Sequence, residues 1–193
     1  CINNISITFQ KSLIHGIYGE NGEGKSTLLK LISRILINDS GGIYLNNQNI
    51  YESRNYLRRL CLINSETRTL YERLTGKQNI SFLSKIYKEN LESKAYTISQ
   101  DLNISDCLNN PVSIYSLGMK QKLSISIKLA KDSDILLLDE VTDHLDEKAV
   151  IWLKNYLNKL KKEKIIIYVS RSMDNIKNLS DKFYSLSNGK IYD

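Results

Sequence analysis

The fold is decided by the stretch Gly19-Glu20-Asn21-Gly22-Glu23-Gly24-Lys25-Ser26-Thr27, which matches the pattern G-x-x-x-x-G-K-[ST]. Glycines in this pattern let the backbone turn tightly and aim several N–H donors at one anion, because a Cβ would block that approach. Lys25 can reach the outer phosphates of a nucleotide, and the hydroxyl of Ser26 is placed to ligate Mg²⁺. We therefore expect the whole stretch to contact a bound nucleotide.

The residues on both sides of the loop fit a strand and a helix. Residues 13–18 are mostly apolar, as in a buried strand, and residues 27–37 carry apolar side chains at the spacing of one helix face. These side chains are Leu28, Leu31, Ile32 and Ile35. A strand, a glycine loop and a helix in this order place an anion at a helix N-terminus, where unpaired N–H groups and the helix dipole favour it. The alternative is an ordinary glycine-rich turn, which does not require these flanks.

Composition limits the class of protein. The chain has 193 residues, of which 41% are hydrophobic and 25% charged, as in a single globular domain with a real core. No apolar run approaches the ~18 residues that a membrane span needs, and the first residues do not resemble a signal peptide. Three widely spaced cysteines, Cys1, Cys61 and Cys107, indicate a reducing interior and argue against a disulfide framework or a zinc site.

The net charge of +6 raises the question of a nucleic-acid partner. Lysine, asparagine, isoleucine and tyrosine are abundant along the whole chain, so the charge reflects a general compositional bias. The sequence contains no basic stripe and no known nucleic-acid module, and we therefore expect no nucleic-acid partner.

The rest of the chain alternates between strand and helix patterns. Strands are predicted at residues 2–9, 59–63, 134–139 and 165–169, and hairpins at 43–51 and 183–192, the second one turning at Asn188-Gly189. Residues 77–130 are predicted to be mostly helical with a break near Pro111, and residues 147–162 form an amphipathic helix. Strands that alternate with helices indicate an α/β fold with a parallel sheet.

A second chemical motif is an aliphatic strand that ends in two carboxylates, Asp139 and Glu140. A strand of this kind is buried on both faces, so its acids emerge at the carboxyl edge of the sheet, where open α/β sheets bind ligands. We expect Asp139 to hold Mg²⁺ together with Ser26, and Glu140 to orient and polarise an attacking water. Strands also end in acids at ordinary surface turns, but the glycine loop earlier in the chain favours the functional interpretation.

The stretch Tyr115-Ser116-Leu117-Gly118-Met119-Lys120-Gln121 resembles the signature of the ATP-binding cassette (ABC) ATPases, which is usually Leu-Ser-Gly-Gly-Gln. Ser116 and Gly118 match that signature, whereas Leu117 replaces a glycine. Residues 140–146 resemble the segment that follows the family's catalytic glutamate, with the D-loop at 143–146. Taken alone, Ser116 would only predict a helix N-cap. The resemblance covers nearly all of the chain, in the family's order of motifs.

The resemblance implies a P-loop NTPase (RecA-like) α/β core with a parallel sheet, an antiparallel β subdomain and a helical subdomain at about residues 66–130. Residues 1–193 would then be one nucleotide-binding domain. The implied cofactors are ATP and Mg²⁺. In this family two subunits form a head-to-tail dimer, so Ser116, Gly118 and Met119 would bind the γ-phosphate held by the opposite subunit.

The implied partners are a second copy of the chain or a homologous ATPase subunit, and a transmembrane permease. The subunit would be cytoplasmic and peripheral on the inner face of the cell membrane, bound through that permease. The form of the signature resembles that of bacterial exporters, so the expected function is ATP hydrolysis that powers export through ATP-driven dimerisation. Two alternatives remain open: a soluble ABC ATPase in assembly or regulation, and a weakly hydrolysing nucleotide-dependent switch.

Three departures from the family pattern accompany this resemblance. The family's glutamine after the strand at 59–63 is replaced by Asn64-Ser65-Glu66. Arg171 stands where the switch histidine is expected; it would be a catalytic contact to the γ-phosphate or else part of a surface salt bridge. The sequence begins after the family's N-terminal strand, which carries an aromatic that stacks on adenine. A stacked base is worth ~1–3 kcal/mol, so weaker nucleotide binding is expected.

Overall fold

In the computed structural model, which describes residues 2–65 and 69–193, the chain forms eight strands and six α-helices. The strands are β1 (Ile14–Tyr18), β2 (Tyr44–Leu45), β3 (Gln48–Asn49), β4 (Leu60–Asn64), β5 (Ile135–Asp139), β6 (Ile165–Ser170), β7 (Lys182–Ser187) and β8 (Lys190–Tyr192). The helices are α1 (Lys25–Ile32), α2 (Gly76–Tyr87), α3 (Glu92–Asp101), α4 (Leu117–Ala130), α5 (Glu147–Leu160) and α6 (Met173–Leu179).

Two compact units divide the chain. The first consists of the described residues up to Leu62, together with Ser133–Glu140 and Leu157–Asp193. The second consists of the described residues of Ile63–Asp132 together with Val141–Tyr156. The helical subdomain predicted at residues 66–130 begins at residues 66–68, which lie outside the described residues, so its bounds stay a prediction.

The first unit is built around a sheet with the strand order β4-β5-β6-β1-β7-β8. Strands β5, β6, β1 and β7 pair in parallel, and β8 pairs antiparallel with β7. The register puts Tyr18 opposite Ser170 and Asp139 opposite Val169. The carboxyl ends of three adjacent strands therefore meet at one edge of the sheet.

The core of the first unit explains why these segments become strands. The central strands carry aliphatic side chains that are buried on both faces of the sheet, as parallel strands covered by helices require. Helix α1 packs its apolar side, with Leu28, Leu29 and Ile32, against this sheet. Each fully buried aliphatic side chain stabilises the fold by about 1.5–3 kcal/mol relative to its exposed state.

The second unit is formed mainly by α2, α3, α4 and the part of α5 up to Tyr156. Helix α2 begins with a capping box, in which Gln78 N donates to Thr75 Oγ1 at 3.1 Å and Thr75 N donates to Gln78 Oε1 at 2.9 Å. Helix α3 packs against α4, and both bury aliphatic side chains such as Ile98 and Leu123. Within residues 2–65 and 69–193, we find no helix with the length and apolarity that crossing a bilayer requires.

Most of the predicted elements are confirmed, with boundaries that differ by one or two residues. Four predictions are corrected. Helix α1 ends at Ile32 instead of Ile37, and Ile35 is 60% exposed instead of buried. The helix stops there because Arg34 adopts a left-handed φ of 59°. Its turn directs the N–H groups of both Ile35 and Leu36 to the carbonyl of Lys30.

The strand predicted at residues 2–9 is absent from the described residues, which form no regular ladder there. Ile5, Ile7 and Phe9 alternate as predicted and pack, half-buried, against the core of the first unit. Alternate burial requires only an extended chain, whereas a strand also requires a hydrogen-bonding neighbour along its length. Cys1 lies outside the described residues.

The other two corrections concern turns. The first hairpin turns at Asn46 and Asn47 as predicted, with φ of 51° and 65°, but Ile50 and Tyr51 form a 3₁₀ turn instead of extending its second strand. That turn begins there because the side chain of Asn49 accepts from Tyr51 N. The helical stretch at 77–130 is interrupted at 88–91 as well as near the proline, because Lys88, which follows α2, adopts a left-handed φ of 56°.

Candidate nucleotide site

The glycine loop connects β1 to α1, and its glycines are needed for different reasons. Gly22 and Gly24 have φ of 88° and 104°, values at which a Cβ would be strained. At Gly19 the reason is space, because a Cβ would lie 2.7 Å from the carbonyl oxygen of Leu186 in β7. Helix α1 starts directly after the loop, where Leu28 N donates to Gly24 O at 2.8 Å. The N–H groups of the first turn are therefore available to an anion at this helix terminus.

Lys25 is folded back over the loop and is only 6% exposed. Its ammonium donates to the carbonyls of Gly19 at 2.8 Å and Glu20 at 3.0 Å. The same Nζ lies 3.7 Å from Oε1 of Glu140. A buried ammonium needs such partners, because leaving it unpaired away from water is strongly unfavourable. The charge that a phosphate would contact is thus held at the loop by oxygen atoms of the protein.

Ser26 and Asp139 provide the oxygen atoms expected for a metal ion. Ser26 lies half-buried in the first turn of α1, and Asp139 is the half-buried last residue of β5, the strand against which α1 packs. A hydroxyl and a carboxylate are hard oxygen donors, the type that Mg²⁺ prefers when it also keeps waters and phosphate oxygens. The donor set therefore fits Mg²⁺, and the role of both residues stays a prediction.

Glu140 follows β5 in a left-handed conformation with φ of 51°. Its main-chain N–H donates to Val169 O at 3.1 Å, which continues the pairing of Asp139 with Val169. One carboxylate oxygen accepts from the main-chain N–H of Arg171 at 3.0 Å, and the other accepts from the hydroxyl of Ser170 at 3.3 Å. The carboxylate, whose side chain is 17% exposed, is therefore held from the carboxyl end of β6 while still reaching solvent.

Arg171 contacts this site through its main chain, and its residue as a whole is exposed. The observed bond to Glu140 uses the backbone N–H, which any residue except proline would supply. The predicted side-chain contact to a γ-phosphate is untested by this geometry and stays a prediction. The first unit thus brings together the glycine loop, Asp139, Glu140 and the backbone of Arg171.

The predicted signature residues lie in the second unit, at the N-terminus of α4. Ser116 is the N-cap, and its Oγ accepts from Met119 N at 3.2 Å, so the simple capping role is present. A Cβ on Gly118 would lie 2.7 Å from the carbonyl oxygen of His144. The start of α4 therefore packs closely against the D-loop predicted at 143–146.

The segment predicted as the D-loop ends at Asp146, which caps α5. Asp146 accepts from Ala149 N at 2.9 Å and pairs with Lys122 of α4. The hydrogen bond from Lys122, followed by that from the Ala149 N–H, lowers the pKa of Asp146 below its ordinary value. The second turn of α4 is therefore linked by an ion pair to the residue that precedes α5.

A polar network under α4 was missed by the sequence reasoning. Gln121 is fully buried, and its amide nitrogen donates to Val141 O at 3.1 Å and more weakly to Asn64 O at 3.5 Å. Lys128 donates to the side chain of Asn64 at 3.1 Å. The available signal was a run of polar residues along a helix face that is otherwise apolar. Glu66, at the position of the family's glutamine loop, lies outside the described residues.

Comparison with known proteins identifies the family of the chain. A family model described as ABC transporter matches residues 2–143. The chain is similar to the ABC transporter ATP-binding protein NatA of Bacillus subtilis (strain 168), with 28% identity over 195 residues, which cover 98% of this chain and 79% of NatA. It is 32% identical over 191 residues to the ABC transporter ATP-binding protein YybJ of the same organism, covering 98% of this chain and 87% of YybJ.

A third relative and a solved structure agree with these matches. The lantibiotic transport ATP-binding protein SrtF of Streptococcus pyogenes is 30% identical over 194 residues, covering 98% of this chain and 82% of SrtF. An ATP-binding subunit of an ABC transporter superposes with a TM-score of 0.87 at 24% identity, covering 98% of this chain and 81% of that one. Together with the family match, this likeness confirms the predicted α/β P-loop NTPase fold. The chain therefore belongs to the ABC transporter family, as an ATP-binding subunit that is an ABC-type ATPase.

Proposed function

We propose that this chain binds Mg·ATP at the glycine loop and hydrolyses it to power a membrane exporter through ATP-driven dimerisation. The observation that carries the proposal is the arrangement of Lys25 and Glu140, whose charged atoms lie 3.7 Å apart at the carboxyl edge of the sheet. A cation for phosphate and a carboxylate for water are both required next to a γ-phosphate that is attacked by water.

Each residue has a distinct part in the proposed chemistry. Lys25 and the loop N–H groups would bind the phosphate oxygens, and Lys25 would exchange its two carbonyl partners for them. Ser26 and Asp139 would hold Mg²⁺, which neutralises charge that develops on the phosphates. Glu140 would orient the attacking water and polarise it. Positioning and electrostatics would supply most of the rate enhancement.

The dimer is proposed from the signature residues. Ser116 is exposed and Leu117 is 60% exposed, so the N-terminus of α4 is available to another molecule. In a head-to-tail dimer Ser116, Gly118 and Met119 would complete the nucleotide site of the opposite subunit. The partner would be a second copy or a homologous ATPase subunit, and closure would be coupled to a transmembrane permease.

Export is proposed from the form of the signature, Tyr115 to Gln121, and the place of action is the cytoplasmic face of the cell membrane. One structural observation favours the weakly hydrolysing switch as a second candidate. Asn64 stands where the family has its glutamine loop, and its side chain is already bound by Lys128. An Asn64 side chain held by Lys128 is less free to move when a γ-phosphate binds or is released.

Two measurements on the purified protein test these proposals. Phosphate release with saturating Mg·ATP separates an ATPase from a slow switch. Light scattering of Glu140→Gln with Mg·ATP should give the mass of a dimer, and with Mg·ADP that of a monomer. Isolation from native membranes should bring a multi-span protein with the chain. A monomer under all nucleotide conditions, without a membrane partner, would contradict the transport proposal.

A further inference from the structure

Ser170 contacts two parts of the nucleotide site and the residue that precedes α6, and it has no role in the proposal above. It is the last residue of β6 and is fully buried. Its hydroxyl lies 3.3 Å from Oε2 of Glu140, and it also accepts from Ser172 N at 3.1 Å. Its carbonyl accepts from the N–H of Gly19, the first residue of the glycine loop, at 3.3 Å. One residue therefore links the loop, the carboxylate and the start of α6.

The hydrogen bonds around Ser170 determine where its proton points. A serine hydroxyl has a single proton to donate and two lone pairs with which to accept. The N–H of Ser172 occupies one lone pair, and a carboxylate oxygen of Glu140 can only accept. The hydroxyl proton is therefore directed at Glu140. A hydrogen bond to an ionised acceptor is stronger than one between neutral groups.

Glu140 needs such support because its own backbone does not favour its position. Its φ of 51° is a left-handed conformation, which a residue with a Cβ adopts only at an energetic penalty. Both of its carboxylate oxygens are bound by residues at the end of β6, one by Ser170 and one by the N–H of Arg171. A substitution can remove the hydrogen bond from the Ser170 hydroxyl, but it cannot remove the bond from the backbone N–H of Arg171 unless it introduces proline.

We propose that Ser170 is a positioning residue for ATP hydrolysis, which orients the carboxylate of Glu140 toward the attacking water. The inference rests on the proposed role of Glu140. It assigns to the turn after β6 a function that does not depend on the side chain of Arg171. If Ser170 only stabilised the start of α6, its removal would affect folding but not the catalytic step.

The test compares three substitutions in ATP hydrolysis. Ser170→Ala removes the hydroxyl, Ser170→Thr keeps it, and Ser172→Ala is the matched control. The hydroxyl of Ser172 caps α6 by accepting from Asn175 N, so its loss loosens the same turn without touching Glu140. We expect Ser170→Ala to lower kcat about tenfold, which is about 1.4 kcal/mol of barrier. KM and the affinity for AMP-PNP should stay within about twofold, because Lys25 and the loop are intact.

Rescue decides between positioning and packing. Ser170→Thr should recover most of the lost kcat, and Ser172→Ala should keep the parent's kcat. A kcat that is unchanged in Ser170→Ala, or lowered equally in Ser172→Ala, overturns the inference. If Ser170→Ala does not fold, Ser170→Cys replaces it, because a thiol has similar shape but is a weak donor. An unchanged kcat in Ser170→Cys would then overturn the inference.

A double-mutant cycle separates this inference from the proposed function. In the Glu140→Gln background, Ser170→Ala should have no further effect on single-turnover hydrolysis, because its target carboxylate is gone. An equal loss in both backgrounds would show that Ser170 acts elsewhere. If Glu140→Gln itself leaves turnover unchanged, the proposed role of Glu140 fails, and this inference fails with it. If Glu140→Gln is inactive and Ser170→Ala is silent, only the positioning inference fails.

Discussion

Replacing Glu140 by glutamine should stop turnover and leave the nucleotide site intact. The amide keeps the shape of the side chain and removes the charge. Its carbonyl can accept from Arg171 N, as Oε1 does now, and its NH₂ can donate to the hydroxyl of Ser170, which also accepts. Because both contacts have an equivalent in the variant, we expect the fold to be preserved.

The expected loss can be estimated from the role proposed for Glu140, that of a positioned general base. A positioned general base contributes about 10²–10⁴-fold to a rate, which corresponds to about 2.7–5.4 kcal/mol of barrier. Nucleotide binding should not weaken. Lys25 keeps its two carbonyl partners, and the variant removes a negative charge that lies 3.7 Å from the ammonium and would face the phosphates. We therefore expect equal or tighter Mg·ATP affinity.

The assay pairs phosphate release with titration calorimetry of Mg·ATP. The matched control is Glu163→Gln, which makes the same change at an exposed glutamate in the turn after α5. Its turnover and affinity should equal those of the parent. Turnover of Glu140→Gln within about twofold of the parent, which is less than ~0.5 kcal/mol of barrier, would refute the reasoning.

Three further expectations concern Lys25, Arg171 and His15. Lys25→Ala should weaken Mg·ATP binding about 10–150-fold, because charge-assisted contacts worth about 1.5–3 kcal/mol are lost; equal calorimetric affinity would contradict the loop assignment. Arg171→Ala should lower turnover more than ADP affinity if its side chain meets a γ-phosphate, and unchanged turnover would leave only the surface salt bridge. Burial lowers the pKa of His15. Below about pH 6.5 the imidazole therefore binds a proton more readily in the unfolded state than in the folded state. The free energy of unfolding should therefore fall as pH drops from 6.5, by at most about 1.4 kcal/mol per pH unit, and urea titrations of His15→Gln should lack that slope.

Elements whose conformation depends on local chemistry could be predicted from the sequence. The turn at Asn188 and Gly189 needs two positive φ values, and these residues adopt 50° and 72°. The buried run before Asp139 forms β5, and the glycine loop connects a strand to a helix as its pattern requires. Lys25 and Glu140, which belong to separate motifs, lie together at one edge of the sheet.

Features that depend on tertiary contacts could not be predicted. Ile35 has the spacing of a buried helix residue, but the left-handed turn at Arg34 leaves it outside the helix. Ser170 reaches Glu140 because β6 pairs with β5 in a register that places Asp139 beside Val169. Local sequence does not encode that register, since it is set by packing between segments distant along the chain.

The folded-back position of Lys25 has a consequence for which anions the loop accepts. The ammonium of Lys25 already contacts two carbonyl oxygens and a carboxylate. An incoming anion must therefore bind the ammonium more strongly than these three oxygens do together. A chloride ion or a single inorganic phosphate gains only the difference between two similar sets of contacts. A polyphosphate chain adds contacts at further points, including the first turn of α1, which precedes the bond from Leu28 N to Gly24 O. We therefore expect the resting contacts of Lys25 to favour polyphosphates over single small anions at this loop.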